Sequence, residues 1–197
     1  MGKKIAITGG IGSGKSTVSN ILKEKGYPVY SCDEIYAELI HSEDYICAIK
    51  KAFPSVVKEG KIDKKLLSDI IFSNAQARTR LNEIAHPLIM KRLFERMNET
   101  DGEIVFAEVP LLFEGDFENL FERTIVVMRN VNERVRAVCM RDGISAQKAK
   151  ERINAQFDYD NPKNAERYQK CGAIFLENEG GIQSLKKSVE QLLKNLS

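Results

Sequence analysis

A glycine-rich loop close to the N-terminus has the residue types that bind phosphate groups. Residues 9–17 have the sequence GGIGSGKST, which fits the pattern G-x-x-x-x-G-K-[ST]. Glycines let backbone N–H groups approach anionic oxygens, and a following helix N-terminus adds a favourable dipole. Lys15 would reach the β- and γ-phosphates and Ser16 would ligate Mg²⁺, whereas the alternative is a turn without a ligand. The pattern predicts a nucleoside triphosphate site formed by Gly9, Gly12, Ser13, Gly14, Lys15, Ser16 and Thr17.

Two carboxylates stand at the ends of predicted strands. Asp33 follows a short run at residues 29–32, and Glu108 closes the apolar run at residues 104–107. Ligands of open parallel sheets bind outside the carboxyl ends of the strands, so both side chains are expected near the phosphate loop. Glu108 has the place of a Walker B carboxylate that holds Mg²⁺ directly or through water, although Asp is usual there. Asp33 has two interpretations from position alone, a functional carboxylate or a helix N-cap.

Residues 129–170 form a locally basic segment. They contain ten Lys or Arg against six Asp or Glu, while the whole chain has 30 against 28. The pattern predicts two helices on either side of Asp142-Gly143, with Ser145 as N-cap of the second. Above a triphosphate, such a hairpin would be a lid that supplies guanidinium groups to the transferring phosphate. A solvated charged face explains most of the ten residues, so we expect one or two to act.

Strands and helices alternate around these residues. We predict strands at residues 5–7, 29–32, 104–108, 124–128 and 173–176, a final helix over residues 182–196, and a helical block without strands over residues 34–98. This order predicts an α/β fold with a doubly wound, five-stranded parallel sheet and a helical insertion that binds the second substrate.

Three residues of the helical segments have more than one interpretation. Pro87 should end, kink or restart the longest helix. His86, beside it, is a packed or capping residue or, less often, a catalytic one. Cys139 lies on the apolar stripe of a predicted helix, where packing is favoured over a reactive thiol.

Composition excludes several classes of protein. The 197 residues are enough for one globular unit, and a net charge of +2 gives no basic excess of the kind that nucleic-acid binders have. No apolar stretch approaches the ~18 residues of a membrane span or has the form of a signal peptide. Four separated cysteines and two histidines indicate neither a zinc site nor a disulfide framework. We therefore expect a cytoplasmic protein without nucleic-acid or membrane partners, either a monomer or a weak homo-oligomer.

Taken together, the motifs resemble those of dephospho-CoA kinase over nearly the whole chain. They are Ile5 through Thr17, Asp33, RLNEIAHP at residues 80–87, VPLLFE at 109–114, RDG at 141–143 and RINAQ at 152–156. The resemblance implies transfer of the ATP γ-phosphate to the ribose 3′-hydroxyl of dephospho-CoA, with Mg²⁺, as the last step of coenzyme A synthesis. It also implies a P-loop kinase architecture with a nucleotide-binding core at residues 1–33, 99–129 and 166–197, a helical substrate-binding domain at 34–98 and a lid at 130–165.

The same resemblance implies roles for individual residues. Asp33 would orient the acceptor hydroxyl and take its proton, while Lys15 and Arg141 would lie on the transferring phosphate. The remaining implied residues are Arg152 and Gln156 in the lid, Asn178 near the adenine, and His86, Pro110, Leu111 and Leu112 near the acceptor.

The chain also departs from the family pattern. Glu38 stands where many relatives have an arginine, so that contact is missing or is supplied by another basic residue of the helical block. Relatives also often have Asp at the positions of Ala173 and Glu108.

Three other functions stay open at this point. A small-molecule kinase acting on a nucleoside, nucleotide or sugar acid is the nearest alternative. A GTPase switch is disfavoured because the chain has no N-K-x-D or D-x-x-G motif. A protein that binds nucleic acid through the basic lid is disfavoured by the nearly neutral net charge.

Overall fold

The computed structural model describes residues 2–196 and contains seven strands and nine α-helices in that range. In chain order they are β1 (Lys3–Thr8), α1 (Lys15–Glu24), β2 (Val29–Ser31), α2 (Cys32–Leu39), α3 (Glu43–Ala52), β3 (Val57–Lys58), β4 (Lys61–Ile62), α4 (Lys64–Ser73), α5 (Ala75–Glu99), β5 (Ile104–Glu108), β6 (Arg123–Met128), α6 (Val131–Asp142), α7 (Ala146–Asn154), α8 (Ala165–Lys170), β7 (Ala173–Glu177) and α9 (Ile182–Leu196).

Five of the strands form one sheet in the order β2-β5-β1-β6-β7. β1 lies in the centre and pairs in parallel with β5 and β6, with Ile7 opposite Glu108 and Ile125. β6 in turn pairs in parallel with β7. Central parallel strands are covered on both faces, which explains why their sequences are continuous apolar runs. The predicted doubly wound, five-stranded parallel α/β fold is confirmed.

The chain divides into two compact units, residues 1–29 with 100–197, and residues 30–99. The core of the first unit lies between the sheet and helices α1 and α9. α9 has an apolar stripe at helical spacing that includes Leu185, Val189 and Leu192, each at most 5% exposed. The sheet contributes Ile5, Phe106 and other buried side chains to the same cluster. This core fixes β1 and α1, which flank the phosphate loop.

The second unit has its own core around Tyr45 and Ile49 of α3, which have no accessible surface. Its helices were predicted, but the expectation that residues 34–98 contain no strand is wrong, because β3 and β4 form an antiparallel hairpin. α5 neither ends nor restarts at Pro87, which lies inside the helix. Proline has no N–H, so the carbonyl of Glu83 lacks its usual backbone donor there.

The basic segment forms the predicted helical hairpin. α6 ends at Gly143, whose φ of 65° is the left-handed conformation that glycine adopts readily. α7 begins after Ser145, whose side chain accepts a hydrogen bond from the N–H of Lys148 at 3.3 Å. Val135 and Val138 of α6 and Ile153 of α7 form a small apolar cluster, against which Cys139 packs. The packing interpretation of Cys139 is therefore confirmed.

Candidate active site

The phosphate loop joins the central strand β1 to helix α1. Gly9, Gly12 and Gly14 have φ values of 143°, 79° and 99°, which side chains with a Cβ rarely adopt. α1 begins at Lys15, and within residues 2–196 no side chain caps its N-terminus at Gly14. The first N–H groups of a helix need partners, and an uncapped N-terminus in a glycine loop offers them to an anion.

Lys15 lies across this loop. Its ammonium group donates to the carbonyl of Gly9 at 2.8 Å and to that of Gly10 at 3.2 Å. The charge is therefore held beside the loop backbone, where it would be available to neutralise a phosphate.

Ser16 and Glu108, predicted as magnesium ligands, are brought together by the pairing of β1 with β5. The Ser16 hydroxyl donates to one carboxylate oxygen of Glu108 at 2.8 Å, and the Ser19 hydroxyl donates to the other at 2.7 Å. Glu108 is only 6% exposed. Among residues 2–196 no lysine, arginine or histidine forms an ion pair with it. A buried carboxylate beside a hydroxyl, without a basic partner, is a donor set that suits a hard cation.

Asn178 closes the loop on the side of β7. Its side-chain amide donates to the carbonyl of Ser13 at 2.8 Å, and its backbone N–H donates to Met128 at 2.9 Å. A Cβ at Gly14 would overlap the same amide group, so a larger residue at position 14 would displace Asn178 as well as strain the backbone, whose φ is 99°. Beside it is a cavity of about 490 Å³ lined by Thr17, Arg129, Asn130, Glu133, Asn178, Glu179, Gly180, Gly181, Ile182 and Leu185. This cavity adjoins the loop at the place where Asn178 was predicted to lie near a base.

Two residues that the sequence did not single out also hold the loop. Arg134 of α6 donates to the carbonyl of Ile11 at 3.0 Å. Tyr159 is hydrogen-bonded through its hydroxyl to Thr8, at the end of β1, at 3.1 Å, and burial raises the pKa of Tyr159. Arg134 was one of ten basic residues in its segment, and Tyr159 belongs to no motif. The predicted lid residue Gln156 reaches the loop as well, because its side-chain oxygen accepts from the N–H of Ile11 at 2.6 Å.

Arg141 and Arg152, the predicted lid arginines, converge on one carboxylate. Asp142 accepts from Arg141 Nε at 2.7 Å and from Arg152 Nη1 at 2.6 Å. Both guanidinium groups are more than half exposed, and together they lower the pKa of Asp142. Within residues 2–196, neither arginine bonds to the phosphate loop. The structure thus joins the two arginines to each other through Asp142.

The turn after β5 contains the PLLFE motif. Leu112 and Phe113 are buried, whereas Leu111 is 39% exposed and is the apolar side chain of this motif that a substrate can reach most easily. Glu114 accepts from the backbone N–H of Phe157 at 3.0 Å, and the rings of Phe113 and Phe157 stack at 4.7 Å. This motif therefore anchors the segment that follows the lid hairpin.

Arg167 of α8 reinforces the same anchor. Its guanidinium group donates to Glu118 at 2.6 Å, to the Phe113 carbonyl at 2.9 Å and to Asp116 at 2.8 Å. It also lies 5.3 Å from the centre of the Phe113 ring.

The remaining predicted residues belong to the helical unit. Asp33 lies in the first turn of α2, but Ser31 is the N-cap, since its hydroxyl accepts from the N–H of Glu34. The N-cap interpretation of Asp33 is therefore wrong. His86 lies inside α5 and is half-buried, which lowers its pKa.

Glu38, which replaces the family arginine, has an arginine partner. Both of its carboxylate oxygens accept hydrogen bonds from the guanidinium group of Arg96 on α5, one of them at 3.2 Å. The pair lowers the pKa of Glu38 and raises that of Arg96. The helical unit thus has a guanidinium group next to position 38, supplied by a different helix.

Comparison with known proteins identifies the family. The dephospho-CoA kinase family matches residues 3–184 of the chain. The chain belongs to the dephospho-CoA kinase family. Curated relatives include dephospho-CoA kinases of Thermus thermophilus, 34% identical with coverage of 98% of this chain and 91% of that protein, and of Fusobacterium nucleatum, 31% identical with coverage of 98% and 97%.

Solved structures agree with this assignment. A crystal structure from Thermus thermophilus superposes with a TM-score of 0.81 at 33% identity, covering 100% of this chain and 98% of that one. Dephospho-CoA kinase from Campylobacter jejuni superposes with a TM-score of 0.70 at 26% identity, with the same coverage. A shikimate kinase from Bacteroides thetaiotaomicron, at 15% identity and a TM-score of 0.55, shares the fold alone.

Two further observations concern all the described residues. Within residues 2–196, every helix is too short or too polar to cross a bilayer. In the same range, no three His, Cys, Asp or Glu side chains are grouped so that they could hold a metal ion. Magnesium sites in kinases use one or two carboxylates together with water and substrate phosphates, so Ser16 and Glu108 would be a sufficient protein contribution to such a site.

Proposed function

We propose that this protein transfers the γ-phosphate of ATP to the ribose 3′-hydroxyl of dephospho-CoA and releases CoA and ADP. The observation that supports this most strongly is the phosphate loop with Ser16 bonded to Glu108, in a chain that matches the dephospho-CoA kinase family over residues 3–184. The loop and Lys15 bind the triphosphate, and the cavity beside Asn178 receives the base.

Catalysis then consists of positioning and charge neutralisation, because phosphoryl transfer needs little covalent help from the protein. Lys15 and the N–H groups at the start of α1 neutralise the β- and γ-phosphates. Ser16 and Glu108 would hold Mg²⁺. Mg²⁺ held by these two residues would supply positive charge that offsets the negative charge of the phosphates.

Asp33 and the lid arginines have the remaining proposed roles. Asp33 accepts the proton of the attacking hydroxyl as a general base. Arg141, with Arg152 fixed to the same carboxylate, brings positive charge to the transferring phosphate when the lid hairpin covers it. His86, Pro110 and Leu111 are proposed to contact the acceptor, whereas Leu112, which was also expected there, has no exposed surface with which to touch it.

The assay that tests this function is ADP release by the purified protein with Mg-ATP, with and without dephospho-CoA. Adenosine, other nucleotides and shikimate serve as competing acceptors. We expect release that requires dephospho-CoA and yields CoA. If the protein phosphorylated only another acceptor, the nucleotide site would stand and the acceptor would be reassigned. A cytoplasmic location belongs to the same proposal, since both proposed substrates are soluble metabolites.

A further inference from the structure

Ile11, at the tip of the phosphate loop, is held from both sides by side chains of the predicted lid, one on α6 and one just after α7. Its N–H donates to the side-chain oxygen of Gln156 at 2.6 Å, and its carbonyl accepts from Nε of Arg134 at 3.0 Å. The two bonds fix the peptide groups on either side of one residue. A backbone segment bonded at consecutive peptides has little freedom to rotate.

The side chain of Ile11 is also part of the lid. It packs against the apolar cluster of Val135, Val138, Ala149 and Ile153, which joins α6 to α7. The next residue, Gly12, approaches the backbone of α6 so closely that a Cβ there would lie 2.7 Å from the carbonyl oxygen of Arg134. The loop tip and the hairpin therefore pack as one body, by backbone, side chain and close approach.

These contacts have a consequence for phosphate binding. The N–H of Ile11 is engaged by Gln156, so this donor points to the lid, while the start of α1 has no side-chain cap and offers its N–H groups to an anion. Loop N–H groups bind phosphate only when they converge on one point, and convergence depends on the backbone angles at the tip. We propose that Gln156 and Arg134 are positioning residues that hold Ile11 so that the loop is shaped to bind the nucleotide's phosphates. The inference rests on the proposed function for the identity of the nucleotide.

Gln156 is a better residue to test than Arg134 because it is uncharged. Its replacement does not change the electrostatic potential at the phosphates. Gln156→Leu removes the acceptor at similar size. The matched control is Gln147→Leu, since Gln147 is exposed on α7 and its side-chain amide donates to Glu151 of the same helix. Both variants are made in the full-length chain and compared with the wild type by calorimetric titration with Mg-ADP and by steady-state kinetics.

We expect Gln156→Leu to weaken Mg-ADP binding about five- to tenfold, the effect of losing one hydrogen bond that orders the site. The KM for ATP should rise by about the same factor, while kcat and the KM for dephospho-CoA stay within about twofold. The N–H of Ile11 should exchange with solvent at least about tenfold faster than in the wild type or in Gln147→Leu. If Gln156→Leu does not fold, Gln156→Asn, which keeps the amide on a shorter side chain, replaces it with the same expectation.

Equal Mg-ADP affinity in the Gln156 and Gln147 variants would overturn the inference. So would a fall in kcat without a change in nucleotide affinity, because Gln156 would then act on the transition state. Failure of the proposed function would give a different result, because the wild type would bind Mg-ADP but would not phosphorylate dephospho-CoA. The Mg-ADP affinities of the variants could still be compared in that case.

Discussion

Glu108 offers a test of the cation site in which stability and metal binding should change independently. Its carboxylate is 6% exposed and is satisfied by the hydroxyls of Ser16 and Ser19. Glu108→Gln keeps the size of the side chain and one acceptor oxygen but removes the charge. Without metal, the variant loses charge-assisted hydrogen bonds but also avoids burying an unneutralised carboxylate.

The magnitudes of these two effects nearly cancel. Hydrogen bonds to a charged group contribute about 1.5–3 kcal/mol each, and the effective desolvation penalty of a buried ion is several kcal/mol. We therefore expect the free energy of unfolding without Mg²⁺ to change by no more than about 2 kcal/mol.

The effect of Mg²⁺ on stability should change much more. With Mg-ADP at 100 times its Kd, the wild type gains about 2.7 kcal/mol, or about 5–11 °C in Tm for a chain of this size. Binding weakened about 10- to 100-fold would reduce the gain in Glu108→Gln to about 0.4–1.4 kcal/mol, or about 1–6 °C.

The assay is thermal unfolding with ADP present throughout while Mg²⁺ is titrated. Glu118→Gln is the matched control, because Glu118 is a second buried glutamate, 4% exposed, that pairs with Arg167 instead. Its loss leaves that guanidinium group with Asp116 as its remaining carboxylate partner and should cost about 1–3 kcal/mol, a value reduced because Arg167 is partly exposed. The Mg²⁺-dependent increase in Tm of Glu118→Gln should equal that of the wild type. A full Mg²⁺-dependent shift in Glu108→Gln would refute the assignment of Glu108 to the cation.

Three further predictions concern the acceptor, the lid and the helical unit. Asp33→Asn should lower kcat by about 10²–10⁴ with little change in Mg-ATP affinity, and near-normal turnover would exclude a general-base role. Arg141→Met should lower kcat/KM by about 10²–10³, whereas Arg136→Met, on the exposed face of the same hairpin, should match the wild type in steady-state assays. Burial lowers the pKa of His86, so the unfolded chain takes up a proton first as the pH falls below about 6.5, and stability should decrease from there to pH 5. His86→Gln should flatten this decrease in thermal unfolding curves, and an unchanged pH profile would contradict it.

The sheet could be predicted from the sequence because its strands are buried on both faces. A continuous apolar run such as residues 104–107 is too short for a buried helix, and its β-branched and aromatic residues favour a strand. The hairpin of β3 and β4 was missed because each strand has two residues, too few to show alternation. At the start of α2, Ser31 and Asp33 are both residue types that cap helices well. Which of them is the N-cap depends on where β2 ends, and residue propensities do not determine that point.

The nucleotide side of the site was predictable to a similar degree. The loop pattern specified Lys15 and Ser16, and a carboxylate after an apolar run specified Glu108, because both signals are local in sequence. The contacts of Arg134 and Tyr159 could not be predicted from the sequence, because each joins residues that are more than 120 positions apart and meet only in the folded chain. The partner of Glu38 was foreseen only as a basic residue of the helical block, and the packing of α5 decides that it is Arg96.

The glycines of the phosphate loop are favoured for two different reasons, and the two groups should differ in the substitutions that relatives show. Gly9, Gly12 and Gly14 have positive φ, so any other residue strains the backbone there. Gly10 does not, but a Cβ at that position would overlap the guanidinium group of Arg134. Its constraint comes from the far end of a flexible side chain. Position 10 is therefore free to vary when position 134 is smaller, and among relatives these two residues should be substituted together.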